Sequence, residues 1–181
     1  MAAFNERRKN GNDVGALLVN PGEITLVREE TMLMAITGRS VAVCIWDSRE
    51  KIGAMSHFVL PAIREQGKTT ARYGNVAILT LVRMMEQAAP EGLLEAHVLG
   101  GAVNDATDTV GAENCDVARR ILAAKRIHLA SEDVGGSKGR KILFDTSTGH
   151  VAVLKVHQVR KEDWGEKGEN PLSLVKQQET S

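Results

Sequence analysis

Aromatic side chains are scarce: two Trp, one Tyr and three Phe make up 3% of 181 residues. A core must therefore be filled by Val, Leu, Ile, Ala and Met. Charge of one sign is also missing. The 23 basic and 23 acidic residues cancel, so no net field favours nucleic acid or an anionic membrane surface. No apolar run approaches the ~18 residues that cross a bilayer. The N-terminal region holds the basic cluster Arg7-Arg8-Lys9 but no apolar segment of the kind a secretory signal requires. The cluster reads as part of a solvated tail. The only cysteines, Cys44 and Cys115, make neither a disulfide framework nor a zinc pattern. His97, His128, His150 and His157 are scattered without metal-ligand spacing. These absences lead to the expectation of a cytoplasmic protein with no nucleic-acid partner, no membrane insertion, no metal and no cofactor.

Residues 1–13 are polar and read as a tail, residues 14–156 as one domain, and residues 157–181 as a second polar tail. Residues 14–20 suit a strand that stops at Asn20-Pro21-Gly22, a turn signal. Residues 24–28 and 31–36 are short apolar segments of strand or loop type. Residues 40–46 are β-rich and apolar on both faces, as in a buried strand. A polar turn at 47–51 returns the chain through 52–60, so 40–60 reads as a hairpin that Pro61 ends. After a polar loop at 62–71, Ile78, Leu81, Val82, Met85 and Ala88 recur at helical spacing and predict a helix over about 74–89. Residues 93–99 form a strand closed by Gly100-Gly101, and 103–111 a polar loop. Cys115, Ala118, Ile121 and Leu122 mark a second helix over roughly 112–125. Residues 126–131 form a strand, followed by a turn at Glu132-Asp133-Val134-Gly135-Gly136. Strands at 140–145 and 150–156 form a second hairpin. About seven strands, some in hairpins, and two helices that do not alternate regularly with them give an α+β class: packed mixed or antiparallel sheets flanked by two helices.

Several segments occur in register with a known family: Asn20-Pro21-Gly22; Thr37-Gly38 through Val41-Ala42-Val43-Cys44; and Gly53-Ala54-Met55-Ser56-His57-Phe58-Val59-Leu60-Pro61. Downstream come Arg72-Tyr73-Gly74, Leu94-Glu95-Ala96, Gly100-Gly101-Ala102, Gly111-Ala112-Glu113-Asn114, Glu132 through Gly136, Gly139-Arg140-Lys141 and Thr148-Gly149. Each is weak alone; their order and spacing are specific. Over roughly 14–156 the chain resembles CheD, the chemoreceptor glutamine deamidase of chemotaxis. The resemblance implies a fold related to toxin-type cysteine deamidases and conversion of receptor glutamines to glutamates with release of ammonia. It implies two partners, the cytoplasmic domain of a methyl-accepting chemoreceptor and a CheC-type phosphatase.

The resemblance also implies a Cys–His–Thr site, and here the sequence departs from it. His57 aligns with the family's general base, but Ser40 aligns with the nucleophilic cysteine and Met34 with the threonine that orients the histidine. Taken alone, a histidine between apolar neighbours is more often structural. Serine can attack an amide if a histidine takes its proton and a third group holds that histidine. A thioether is a poor acceptor, so Met34 is not expected to function as that group. Thr37 is at odd spacing from Met34 and would face the other way on a strand; Ser56 and the backbone remain open. Impaired catalysis is expected, the alternative being a catalytically silent module that binds receptor or phosphatase. A single deliberate exchange of Cys for Ser would not explain Met34 and the unusual Arg39 as well.

Cys44 lies four residues beyond Ser40, ~13 Å along an extended strand, so one histidine cannot serve both. Cys44 and Cys115 read as core. Gly135-Gly136-Ser137-Lys138-Gly139-Arg140 resembles a phosphate loop only superficially and reads as a turn, and Met84-Met85 as helix surface and core. Arg39 either fills the pocket mouth or faces solvent.

Overall fold

The computed structural model describes residues 15–63, 70–103 and 107–156. The expected tails at 1–13 and 157–181, His157 and parts of the 62–71 and 103–111 loops lie outside these residues. Strands β1 (Ala16–Leu18), β2 (Glu23–Val27), β3 (Met32–Thr37), β4 (Val41–Asp47) and β5 (Ile52–Phe58) come first. Helix α1 (Gly74–Ala88), strand β6 (Leu94–Gly100), helix α2 (Val110–Ala124) and strands β7 (His128–Val134), β8 (Gly139–Asp145) and β9 (Val151–Val156) follow. The class is α+β, as the sequence indicates.

The strands form two sheets, one in the order β1-β3-β8-β9 and one in the order β2-β5-β4-β6-β7. Both expected hairpins are present: β4 pairs antiparallel with β5, and β8 with β9. The pair β6–β7 is parallel. Parallel neighbours need a crossover, and α2 supplies it.

Alternation along the central strands explains the layers. Val41, Val43 and Ile45 of β4 face one side with Ile52, Ala54 and Phe58 of β5, where the buried stripe Ile78, Leu81, Val82 and Met85 of α1 packs on them. Cys115, Ala118 and Leu122 of α2 complete this layer. Ala42 and Cys44 face the other side and meet Leu33 and Ala35 of β3 and Ile142 and Phe144 of β8 between the sheets. A strand buried on both faces must be apolar at every position, which is why residues 40–46 show no polar alternation.

Two expectations change. The segments at 24–28 and 31–36 are strands, which brings the count to nine strands among the described residues. Glu132, Asp133 and Val134 are not a turn but the end of β7, because pairing with Val98, Leu99 and Gly100 of β6 carries on through them. The chain turns only at Gly135 and Gly136, whose φ angles of 71° and 64° lie in the left-handed region that glycine adopts without strain.

Candidate active site

Ala42 of β4 lies directly opposite His57 of β5. Ser40 precedes Ala42 by two residues and shares its face, so it is a diagonal neighbour of His57 on the side facing the second sheet. Ser40 Oγ lies 2.8 Å from His57 Nε2, and the other ring nitrogen, Nδ1, lies 3.0 Å from the carbonyl oxygen of Val19.

These contacts decide the tautomer. A carbonyl can only accept, so Nδ1 carries the proton that Val19 receives. Nε2 of the neutral ring then carries a lone pair, and Ser40 Oγ–H donates to it. Burial pushes the His57 pKa down to about 4, against the opposing pull of the Val19 carbonyl and the nearby Glu23 charge. At neutral pH the ring is uncharged and able to accept a proton from serine.

Among the described residues, the group that holds His57 on its Nδ1 side is a backbone carbonyl. The Val19 N–H in turn donates to the Met34 carbonyl at 2.8 Å. Leu33 and Ala35 belong to the cluster between the sheets, so alternation turns the Met34 side chain to the opposite face of β3. Met34 reaches the site through its main chain only. Thr37 shares the parity of Leu33 and Ala35 and is fully buried, and its hydroxyl has no hydrogen-bond partner among the described residues. Ser56 is buried on the face away from His57 and likewise unpartnered there.

Arg39 does not fill the site. Its guanidinium pairs with Asp108 at 2.6 Å while its side chain stays 58% exposed, and that cation holds the Asp108 carboxyl below its usual range. Cys44 is fully buried and its thiol pKa is pushed up by desolvation, as is that of Cys115 beneath Gly101. Neither is a competing nucleophile. The Gly135–Lys138 segment is a turn that leads into β8 and closes on a side chain of that strand: buried Arg140 binds Asp133 at 2.9 Å and the carbonyls of Lys138 and Gly135 at 2.9 and 2.8 Å.

Sequence reading passed over Asn114 as anything more than a landmark. Its Nδ2 donates to the carbonyls of Arg39 and Val59, at 3.0 and 3.2 Å. The loop before Ser40 is held at each end as well, by Ala102 N–H on the Gly38 carbonyl at 2.8 Å and Gly101 N–H on the Ser40 carbonyl at 2.9 Å. Gly100 permits the close approach: its φ is 125°, and a Cβ there would strike the Ser40 carbonyl.

A serine–histidine contact alone is not distinctive. His97 also lies 2.7 Å from a serine hydroxyl, that of Ser131, with its other nitrogen 3.1 Å from the Gly149 carbonyl. Ser131 sits inside β7, where it braces two paired strands. Ser40 sits on a loop at the open end of a hairpin, with its carbonyls clamped. Among the described residues no cluster of three or more His, Cys, Asp or Glu could hold a metal ion, and no helix is long and apolar enough to cross a membrane.

Residues 59–155 match the family model described as CheD chemotactic sensory transduction. A relative named probable chemoreceptor glutamine deamidase CheD, from Trichlorobacter lovleyi, is 34% identical over 151 residues, which cover 79% of this chain and 92% of the relative. One of the same name from Sulfurimonas denitrificans is 30% identical over 77% of this chain and 94% of its own. Another, named probable chemoreceptor glutamine deamidase CheD 1, from Anaeromyxobacter dehalogenans, is 34% identical over 81% and 88%.

Proposed function

The chain belongs to the CheD family, and from that membership we propose that it is a slow chemoreceptor glutamine deamidase in chemotaxis, with Ser40 as nucleophile and His57 as general base. The observation that carries the reading is the 2.8 Å contact from Ser40 Oγ to His57 Nε2. Ser40 Oγ attacks the carboxamide carbon of a receptor glutamine as its proton passes to Nε2. The tetrahedral intermediate collapses, the C–N bond breaks, and Nε2 hands the proton to departing ammonia. Water then attacks the ester carbon, giving its proton to Nε2. The C–O bond to Ser40 breaks, Oγ regains the proton, and glutamate remains. No cofactor takes part.

The rate is limited by two features of the pair. A serine hydroxyl is a poorer nucleophile at neutral pH than a thiolate. The imidazolium formed during attack is desolvated, and its Nδ1–H donates to a neutral backbone carbonyl. This second feature also favours the alternative reading, a catalytically silent module that binds receptor or a CheC-type phosphatase.

The two readings part on one series. The protein is incubated with a receptor cytoplasmic fragment, and ammonia and the mass gain of about one dalton per converted amide are measured. The enzyme reading expects slow turnover in the natural chain, none above background in Ser40→Ala or His57→Ala, and a rise of at least about tenfold in Ser40→Cys. Equal background in the natural chain and Ser40→Ala would establish the silent module.

A further inference from the structure

Ser40 and His57 supply a nucleophile and a base, but amide hydrolysis also needs a donor for the oxyanion. The loop before Ser40 offers one. Its three consecutive carbonyls, of Gly38, Arg39 and Ser40, each accept a hydrogen bond from another part of the chain. A trans peptide is planar, so its carbonyl and the following N–H point in opposite directions. With the Arg39 carbonyl drawn to Asn114, the Ser40 N–H is turned away from α2. Among the described residues that N–H donates no hydrogen bond.

Asn114 is costly where it stands. It is fully buried, and its Oδ1 has no partner among the described residues. An orphaned buried acceptor costs about 1–3 kcal/mol. What the amide achieves is a double contact: one nitrogen binds the residue before Ser40 and the residue two after His57. It ties the nucleophile's segment to the base's segment across the end of the hairpin. Buried polar groups left partly unsatisfied in a folded chain call for a reason, and a cross-brace at this point provides one.

We infer that Asn114 is the positioning residue of this site: by binding the carbonyls of Arg39 and Val59 together it fixes the Arg39–Ser40 peptide, holding Ser40 against His57 and presenting the Ser40 N–H to the oxyanion. This rests on the assignment of Ser40 and His57 made above. Asn114 touches no reacting atom and acts through the loop.

The test uses the full-length Ser40→Cys chain, alone and combined with Asn114→Ala or with Asn114→Ser, which keeps one donor. Deamidation of the receptor fragment is measured as kcat and KM separately. Alkylation of residue 40 by iodoacetamide at neutral pH is followed by peptide mass mapping, which separates it from Cys44 and Cys115. Thermal unfolding reports folding. Losing Asn114 is expected to lower kcat about 10²-fold, the usual loss for an oxyanion donor, with KM unchanged. Alkylation at residue 40 should slow about tenfold as the thiol drifts from its base, and Asn114→Ser should fall between. A folded Asn114→Ala variant whose kcat and alkylation rate both stay within twofold of the parent overturns the inference. If Ser40→Cys deamidates nothing, the deamidase reading fails on that count, while the alkylation rates still decide the role of Asn114. Should Asn114→Ala fail to fold, Asn114→Ser carries the same comparison.

Discussion

Val19 holds His57 without contributing a side chain: its carbonyl, 3.0 Å from Nδ1, fixes the ring's tautomer and leaves the Nε2 lone pair facing Ser40 Oγ. Any residue could offer that carbonyl, so the side chain at position 19 is selected for packing between the sheets. The orienting role lies in how β1 runs on beside β3, where Val19 N–H meets the Met34 carbonyl.

One consequence is pH dependence. An unfolded histidine takes a proton near 6.5, whereas His57 in the fold resists it down to about 4. Between these values the unfolded chain binds more protons, so stability rises with pH. The share owed to a neutral His57 is whole above 6.5, is lost as pH falls through the window, and is constant below about 4. The shift corresponds to about 3 kcal/mol. Urea midpoints measured from pH 7.5 to 4 should fall more steeply for the natural chain than for His57→Gln. Parallel profiles would mean that His57 is not held neutral by burial.

A second consequence concerns the missing threonine. The Met34 side chain lies on the face of β3 turned from His57, and its carbonyl is used whatever that side chain is. Restoring the family threonine by Met34→Thr, tested in the Ser40→Cys chain, is expected to change kcat less than about threefold, since the backbone already orients the base. The exchange should lower stability by about 1–3 kcal/mol, because a buried hydroxyl replaces an apolar side chain. A large gain in deamidation with KM unchanged would mean that the side chain at 34 reaches the histidine.

Much of this was readable beforehand, for physical reasons that differ from residue to residue. The apolar stripe of α1 and the two-faced burial of β4 announce themselves because periodicity is written in side chains. The family resemblance, carried by glycine and proline landmarks, is borne out by the family match. What the sequence could not carry is what main-chain atoms do. The Val19 carbonyl has no residue signature, and the doubling-up of Asn114 on two carbonyls depends on α2 lying across the end of a hairpin about 55–75 positions away in the chain. Thr37 stands at odd spacing from Met34 in the sequence. That spacing is real, but Met34 faces away from the site and Thr37 lies on the side shared with Leu33 and Ala35. The end of β7 was missed because Glu132 and Asp133 look like turn residues, and only pairing with β6 reveals them as strand.

Arg140 offers a test of how the two sheets are joined. It is the second residue of β8, opposite Thr37 of β3, yet its guanidinium binds Asp133 of β7 in the other sheet. Two carbonyls of the connecting turn complete its contacts. Burial tends to raise the Asp133 pKa, but hydrogen bonds from Arg140 and Lys155 outweigh it and hold that carboxyl below its usual range. Only 2% of Arg140 is exposed, so removing it leaves the carbonyls of Gly135 and Lys138 short of a donor and the half-buried Asp133 with Lys155 alone among the described residues. Arg140→Ala is expected to cost about 3–5 kcal/mol, the usual loss when one side of a buried pair is removed. Arg140→Lys should recover little, because an ammonium cannot reproduce the forked contacts of a guanidinium. Chemical denaturation of the three proteins measures both numbers. A loss below about 1 kcal/mol in Arg140→Ala would place the pair among surface ion pairs and remove it as the clasp between the sheets. The site is close enough to respond: Gly135 N–H bonds the Gly100 carbonyl at 3.0 Å, next to the Gly101 N–H that clamps Ser40. Loss of Arg140 should therefore also lower kcat in the Ser40→Cys chain, in proportion to how far that turn loosens.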